Sequence, residues 1–278
     1  MALRFYGDES EDKEQKVHTL GGFLGWADEW DHLQEEWIDR VKPTGVSAYH
    51  MTDCDNGGGE FSDAKGWTKT DRTQLTIDLI EIICRHKVFL IGMGLYIDDY
   101  KTLGPVTDDG EMLGHDKWHL VFQGALREAA IHVDKIAPPE ETIAFFFDWQ
   151  MKQGMANDLF ESTQNESSLP WRNRLGTLTF GHKEFGVPGS LPLLQVADIA
   201  ALEVRKSLAH PITQPKLPER RSLARLKQCG GGVIKIFDKP YFDALYELKR
   251  KSLGLPNKAE ETELRLRNLP RPRRPHHE

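Results

Sequence analysis

The stretch Thr142-Ile143-Ala144-Phe145-Phe146-Phe147-Asp148 decides how this chain is read, because five apolar residues in a row lead straight into a carboxylate. So short and apolar a run fits a strand covered on both faces, since helices generally run to about ten residues or more. We expect it at the centre of a sheet. A buried strand delivers its charged residue to the carboxyl edge, and in open α/β sheets ligands collect at that edge. Asp148 is therefore a candidate site residue; the competing reading is a strand-ending Asp that caps the next turn.

Outward from this strand, the chain alternates. Leu3–Gly7 and Val17–Leu24 read as two strands joined through the polar stretch Glu9–Lys16, a hairpin with an elaborated turn. Trp30, Leu33, Trp37, Ile38 and Val41 mark a helix over 28–41, and Leu75, Leu79, Ile82 and Ile83 mark another over 70–85. Between them, 47–69 lacks periodicity and reads as a loop. Val88–Ile97 is a third strand, Leu113–Ile136 a long helix closed by Pro138-Pro139, and a short helix is expected near 157–163. A strand at 176–183 and a helix at 192–208 complete the main body. Strands followed by alternation imply a mixed sheet flanked by helices, three antiparallel strands continued by parallel ones. We expect one domain over 1–210, with a helical and loop insertion at about 27–86, and a basic helical extension and tail over 211–278.

The composition, 39% hydrophobic and 28% charged, suits a globular chain able to bury a core. No apolar run approaches the ~18 residues of a membrane span, which predicts a protein that does not enter the membrane, and a cytoplasmic location is expected. Cys54, Cys84 and Cys229 are far apart and predict neither a disulfide framework nor a zinc knuckle. The net charge of −7 hides an asymmetry: residues 200–278 hold 18 Lys and Arg against 9 Asp and Glu, and residues 1–199 hold 18 against 34. A basic segment beside an acidic body suits a protein that holds phosphate with one and metal with the other, although charged tails are often only solubilising.

Two more carboxylates stand out. Asp8 follows Phe5-Tyr6-Gly7 and precedes Glu9 and Ser10; strand alternation puts Asp8 and Ser10 on one face and turns Glu9 away. Gly, Asp and Ser also initiate turns, so Asp8 alone reads equally well as turn chemistry. Asp198 stands in Leu194-Gln195-Val196-Ala197-Asp198-Ile199-Ala200-Ala201-Leu202, apolar on nearly every side, where an ionised carboxylate needs a cation or a metal. Gln195 lies one turn earlier on the same face and can orient it. If the helix packs across the edge where both strands finish, Asp8, Asp148 and Asp198 converge. Such an oxygen set suits Mg²⁺ or Mn²⁺ better than zinc.

Phe5-Tyr6-Gly7-Asp8-Glu9-Ser10 and Leu194-Gln195-Val196-Ala197-Asp198, with the apolar strand and Asp148 between them, resemble the family called domain of unknown function 3800 over residues 3–208. The glycine that usually follows Asp-Glu-Ser in that family is Glu11 here. The resemblance implies a ribonuclease H-like fold and a nuclease-type metal site carried by Asp8, Asp148 and Asp198, with Gln195 supporting. Many ribonuclease H-like enzymes add a helical Glu; Glu111, Asp116 and Glu128 are the candidates here, with His119 able to take a similar place.

Weaker signals surround this core. His50, with Asp53, could act as base, ligand or substrate contact, although loop residues more often bond their own backbone. Lys183 could meet a phosphate or a scissile oxygen, or serve as a structural ion-pair partner. Gly57-Gly58-Gly59 and Gly230-Gly231-Gly232 lack the Lys-Ser/Thr ending of a phosphate loop and read as flexible. The tail arginines Arg265, Arg267, Arg271, Arg273 and Arg274 could hold DNA or RNA electrostatically. The sequence thus predicts a divalent-metal-dependent phosphodiester hydrolase acting on nucleic acid. Its rivals are a catalytically silent binding or assembly protein of the same fold and a metal-independent carboxylate hydrolase.

Overall fold

Strand β1 (Leu3–Asp12) pairs antiparallel with β2 (Val17–Trp26), and β2 pairs antiparallel with β3 (Phe89–Tyr96). On its other side β1 runs parallel to β4 (Ile143–Asp148), which runs parallel to β5 (Leu175–Gly181). A further strand, β6 (Gly232–Phe237), lies parallel to β3 and gives a six-stranded mixed sheet in the order β5-β4-β1-β2-β3-β6. The structure, a computed structural model, describes residues 2–12, 14, 16–101, 117–148, 153–213, 218–252 and 254. Leu113, Glu111, Asp116 and the tail arginines lie outside the described residues.

Helices cover both faces. On one lie α1 (Ala27–Val41), α2 (Met51–Asn56), α3 (Lys69–Arg85), α7 (Leu194–Thr213) and α8 (Arg221–Gly230); on the other lie α5 (Lys117–Ile136), α6 (Gln153–Asn165) and α9 (Lys239–Ser252). The one-turn α4 (Ile97–Lys101) follows β3. Side-chain alternation divides the strands cleanly. Phe5, Phe145 and Phe147 enter the core beneath α5, whereas Tyr6 enters the core beneath α1 and α7, where Phe146 stacks on it with ring centroids 4.7 Å apart. Trp30 and Trp37 of α1 are fully buried in that second core, and Trp30 donates its indole N–H to the Arg4 carbonyl at 3.0 Å. Truncating either tryptophan should cost about 3–5 kcal/mol.

Several expectations are corrected. The strand carrying Asp148 lies inside the sheet but not at its centre, which β1 and β2 occupy. β1 does not end at Gly7. It continues to Asp12 because Glu9–Asp12 still pair with Leu20–Val17 across the hairpin. The stretch expected as a loop contains α2, with Met51 and Cys54 buried, and short 3₁₀ turns at Gly59–Phe61 and Asp63–Lys65. The segment expected to be only helical supplies β6. Gly230 and Gly231 serve that connection: a Cβ on Gly230 would meet the Val88 carbonyl at 1.8 Å, and Gly231 takes φ +77°. Cys84 of α3 and Cys229 of α8 form a disulfide, although they stand 145 residues apart. Among the described residues, no helix is long and apolar enough to cross a membrane.

Candidate functional site

Register brings two of the aspartates together. β1 and β4 run parallel from Leu3 beside Ile143 to Gly7 beside Phe147, so the next residue on each strand is Asp8 and Asp148. Both share the face of Tyr6 and Phe146, which is the face α7 covers. Glu9 takes the opposite face, with Phe5, as alternation predicts. Ser10 returns to the Asp8 face, where its carbonyl accepts from Thr19 Oγ1 at 2.9 Å.

The helix brings the third. Gly21 on β2 pairs with Asp8, and a Cβ there would stand 2.6 Å from the Ala200 backbone. Without that side chain, the small residues Ala197, Ala200 and Ala201 settle α7 directly on β1 and β2. Asp198 is thereby carried to the sheet edge where Asp8 and Asp148 lie. Its Oδ2 accepts from the Met51 backbone N–H at 2.8 Å and lies 3.8 Å from His50 Nδ1. So His50 joins the site and the start of α2 cradles Asp198. Asp53 is not brought in: its carboxylate faces Gly58 and Gly59.

Lys183, two residues beyond β5, is the cation at the centre. Its Nζ stands 2.7 Å from Asp8 Oδ2 and 3.2 Å from Asp148 Oδ2, with the lysine and Asp8 side chains only 8% and 6% exposed. Asp8 Oδ1 accepts from the Glu9 backbone N–H at 2.9 Å. Burial works against the Lys183 ammonium, but Asp8, Asp198 and Asp148 outweigh it and hold the pKa above the ordinary lysine value. At Asp198 burial prevails: it lifts the carboxyl from 3.8 to about 6, against the pull of Lys183 and with the repulsion of Asp8.

Gln195 supports the site differently from the sequence expectation. It is fully buried, and its Oε1 accepts from Trp37 Nε1 at 3.0 Å and from the Tyr49 backbone N–H at 3.1 Å. Its Nε2 donates to the Lys183 carbonyl at 2.6 Å. One amide thus fastens α1, the segment entering α2 and the backbone of Lys183, and acts on Asp198 only through that frame. The acidic candidate Glu128 lies on α5, across the sheet from α7, and is paired with Lys235 of β6 at 2.7 Å. His119 is also on α5, buried, with its ring edge-on to Trp118.

Two features escaped the sequence reading. Glu203, 0% exposed on α7, forms a double hydrogen bond with Arg220 at 3.0 and 3.1 Å. Like Asp198, Glu203 is a charge in an apolar helix, and that context marks it in the sequence. The second concerns the basic C-terminal segment: among the described residues, four of its cations pair with the acidic body, Arg205 with Asp12, Lys206 with Asp55, Arg225 with Glu81 and Lys235 with Glu128. Those four are used within the fold, and Arg220 answers Glu203 inside the segment itself.

What the cluster can hold follows from its donors. Three carboxylates and one ammonium leave about two negative charges in a half-closed, oxygen-rich site, which fits a hard divalent cation. Among the described residues, no three His, Cys, Asp or Glu side chains already stand as a ligand cage, and between Asp8 and Asp148 the ammonium fills the space. No model of a known protein family matches the chain, and no curated protein matches it.

Proposed function

We propose that this protein is a ribonuclease H-like, divalent-metal-dependent phosphodiester hydrolase, a nuclease acting on DNA or RNA, similar to the family called domain of unknown function 3800. The observation that carries the reading is the convergence of Asp8, Asp148 and Asp198 at one place: Asp8 where β1 leaves its pairing with β4, Asp148 at the end of β4, and Asp198 on the helix that covers them. Antiparallel β1, β2 and β3 continued by parallel β4 and β5 also support it.

Asp8, Asp148 and Asp198 would hold Mg²⁺ or Mn²⁺, which supplies Lewis acidity for activating water and stabilising a leaving oxygen. The protein's own groups supply the rest. Met51 N–H fixes the Asp198 carboxylate, and Gln195 fixes the backbone of Lys183. The Lys183 ammonium offsets the mutual repulsion of the aspartates and contributes positive charge beside an incoming phosphodiester. His50, 38% exposed beside Asp198, is placed to exchange a proton with the reacting group or with solvent.

Cleavage of single- and double-stranded DNA and RNA with Mg²⁺, Mn²⁺ or chelator tests the reading. Divalent-dependent cleavage that disappears in Asp8→Asn, Asp148→Asn and Asp198→Asn is the expected result, and cleavage unchanged in all three would end it. A second reading, favoured by the Lys183 bridges to Asp8 and Asp148, is a binding or assembly protein of the same fold in which the lysine permanently closes the carboxylates. It predicts nucleic-acid retention without turnover and no divalent binding.

A further inference from the structure

Lys183 is held more firmly than a lysine that merely neutralises a surface. Its carbonyl accepts from buried Gln195, His182 N–H donates to the Gly189 carbonyl at 3.1 Å, and Leu191 N–H donates to the His182 carbonyl at 2.7 Å. Phe185 N–H donates to the Ser47 carbonyl at 2.8 Å, tying the same segment to the approach to α2. The backbone on both sides of Lys183 is therefore fastened, and its side chain runs buried to one point between Asp8 of β1 and Asp148 at the end of β4.

That point is where two carboxylates converge. Centres with two ions hold them about 3.5–4 Å apart through shared carboxylates. Here the position between Asp8 and Asp148 belongs to Nζ, at 2.7 and 3.2 Å. Asp148 and Asp198 are the more open members of the cluster, 23% and 14% exposed against 6% for Asp8 and 8% for Lys183. Charge leads to the same count. One divalent ion neutralises three carboxylates and an ammonium, whereas a second would bring the site to about +2 with the lysine in place and only about +1 without it, so the ammonium is what weighs against a second ion.

We propose that Lys183 is a built-in cation that takes the place of a second metal, so that the site binds one divalent ion and not two. This rests on the metal-dependent reading above and refines it. Lys183 is here a positioning residue for the metal site, and its mark is stoichiometry.

The test is the number of Mn²⁺ ions bound by the full-length chain, counted from the loss of the free Mn²⁺ paramagnetic resonance signal and checked by calorimetry. The wild-type protein is expected to bind one ion, Asp198→Asn none, and Lys183→Met two. Lys183→Gln should behave as Lys183→Met. Two ions on the wild-type protein would overturn the proposal while leaving metal dependence intact. One ion on a folded Lys183→Met or Lys183→Gln would also overturn it. No ion on any form would remove the metal-dependent reading, and this proposal with it. Should both lysine variants fail to fold, the wild-type count decides.

Discussion

Replacing Gln195 with leucine removes three hydrogen bonds from a site with no access to water. The wild-type amide satisfies the Trp37 indole N–H, the Tyr49 backbone N–H and the Lys183 carbonyl at 3.0, 3.1 and 2.6 Å. Leucine has a similar volume, so cavity formation contributes little, and the cost comes from two stranded donors and one stranded acceptor. Each buried unsatisfied group costs about 1–3 kcal/mol, which gives a loss on the order of 3–6 kcal/mol after partial relaxation. That is a large share of the ~5–15 kcal/mol by which folded proteins are stable. Trp37→Phe is the internal comparison: it removes the first of the three bonds, leaves Gln195 Oε1 satisfied by Tyr49 and vacates part of a fully buried ring, so about 2–4 kcal/mol is expected. Urea unfolding at neutral pH, with the denaturant slope unchanged, reads both values. A loss below ~1 kcal/mol in Gln195→Leu would refute the reasoning, because the amide would then not be the fastening of the site.

Other consequences follow from the charged groups. In chelator-treated protein the Asp198 carboxyl should titrate near 6, observable by carboxyl-carbon NMR, and Asp198→Asn should delete that transition. Because its pKa is raised on folding, the sign is that this group favours the fold most below the unfolded value and loses that contribution as pH rises from about 4 to about 6. Metal-free Asp198→Asn should therefore be more stable than wild type at pH 8 by on the order of 1–3 kcal/mol and similar to it near pH 4, and equal stability at both would contradict the assignment. Arg220→Met strands the fully buried Glu203 carboxylate and should cost about 3–5 kcal/mol by urea unfolding; a loss within ~0.5 kcal/mol would mean Glu203 has other compensation.

The parts of the site carried by strong apolar context were legible in the sequence. Asp148 ends a run that only burial explains, and Asp198 sits in a helix whose other faces all demand core. Asp8 was found from its motif, but its surroundings were misjudged, since Glu9–Asp12 look like a turn and are held in β1 by backbone pairing to β2 and by ion pairs such as Arg205–Asp12 and Lys117–Glu11, which leave no apolar periodicity. α2 was missed because six residues carry too little period to distinguish it from a loop. β6 lies at the sheet edge with most of its residues partly or fully exposed, so it lacks the burial signature of its neighbours. Long-range partners left no local trace: nothing near Lys183 announces Asp8, and nothing near Cys84 announces Cys229. Gln195 was placed at the site for the right position and the wrong contact, because helix spacing says which residues share a face and not what descends onto that face.

The central claim is that Asp8, Asp148 and Asp198 form one metal-binding hydrolytic centre. Anomalous diffraction from crystals soaked in Mn²⁺ tests it most directly. The expected result is a peak with carboxylate oxygens of all three aspartates at roughly 2 Å, as for a small hard divalent ion. Soaked crystals with no peak at the three aspartates, or with a peak elsewhere and Asp8 and Asp148 still closed on Lys183, would contradict it.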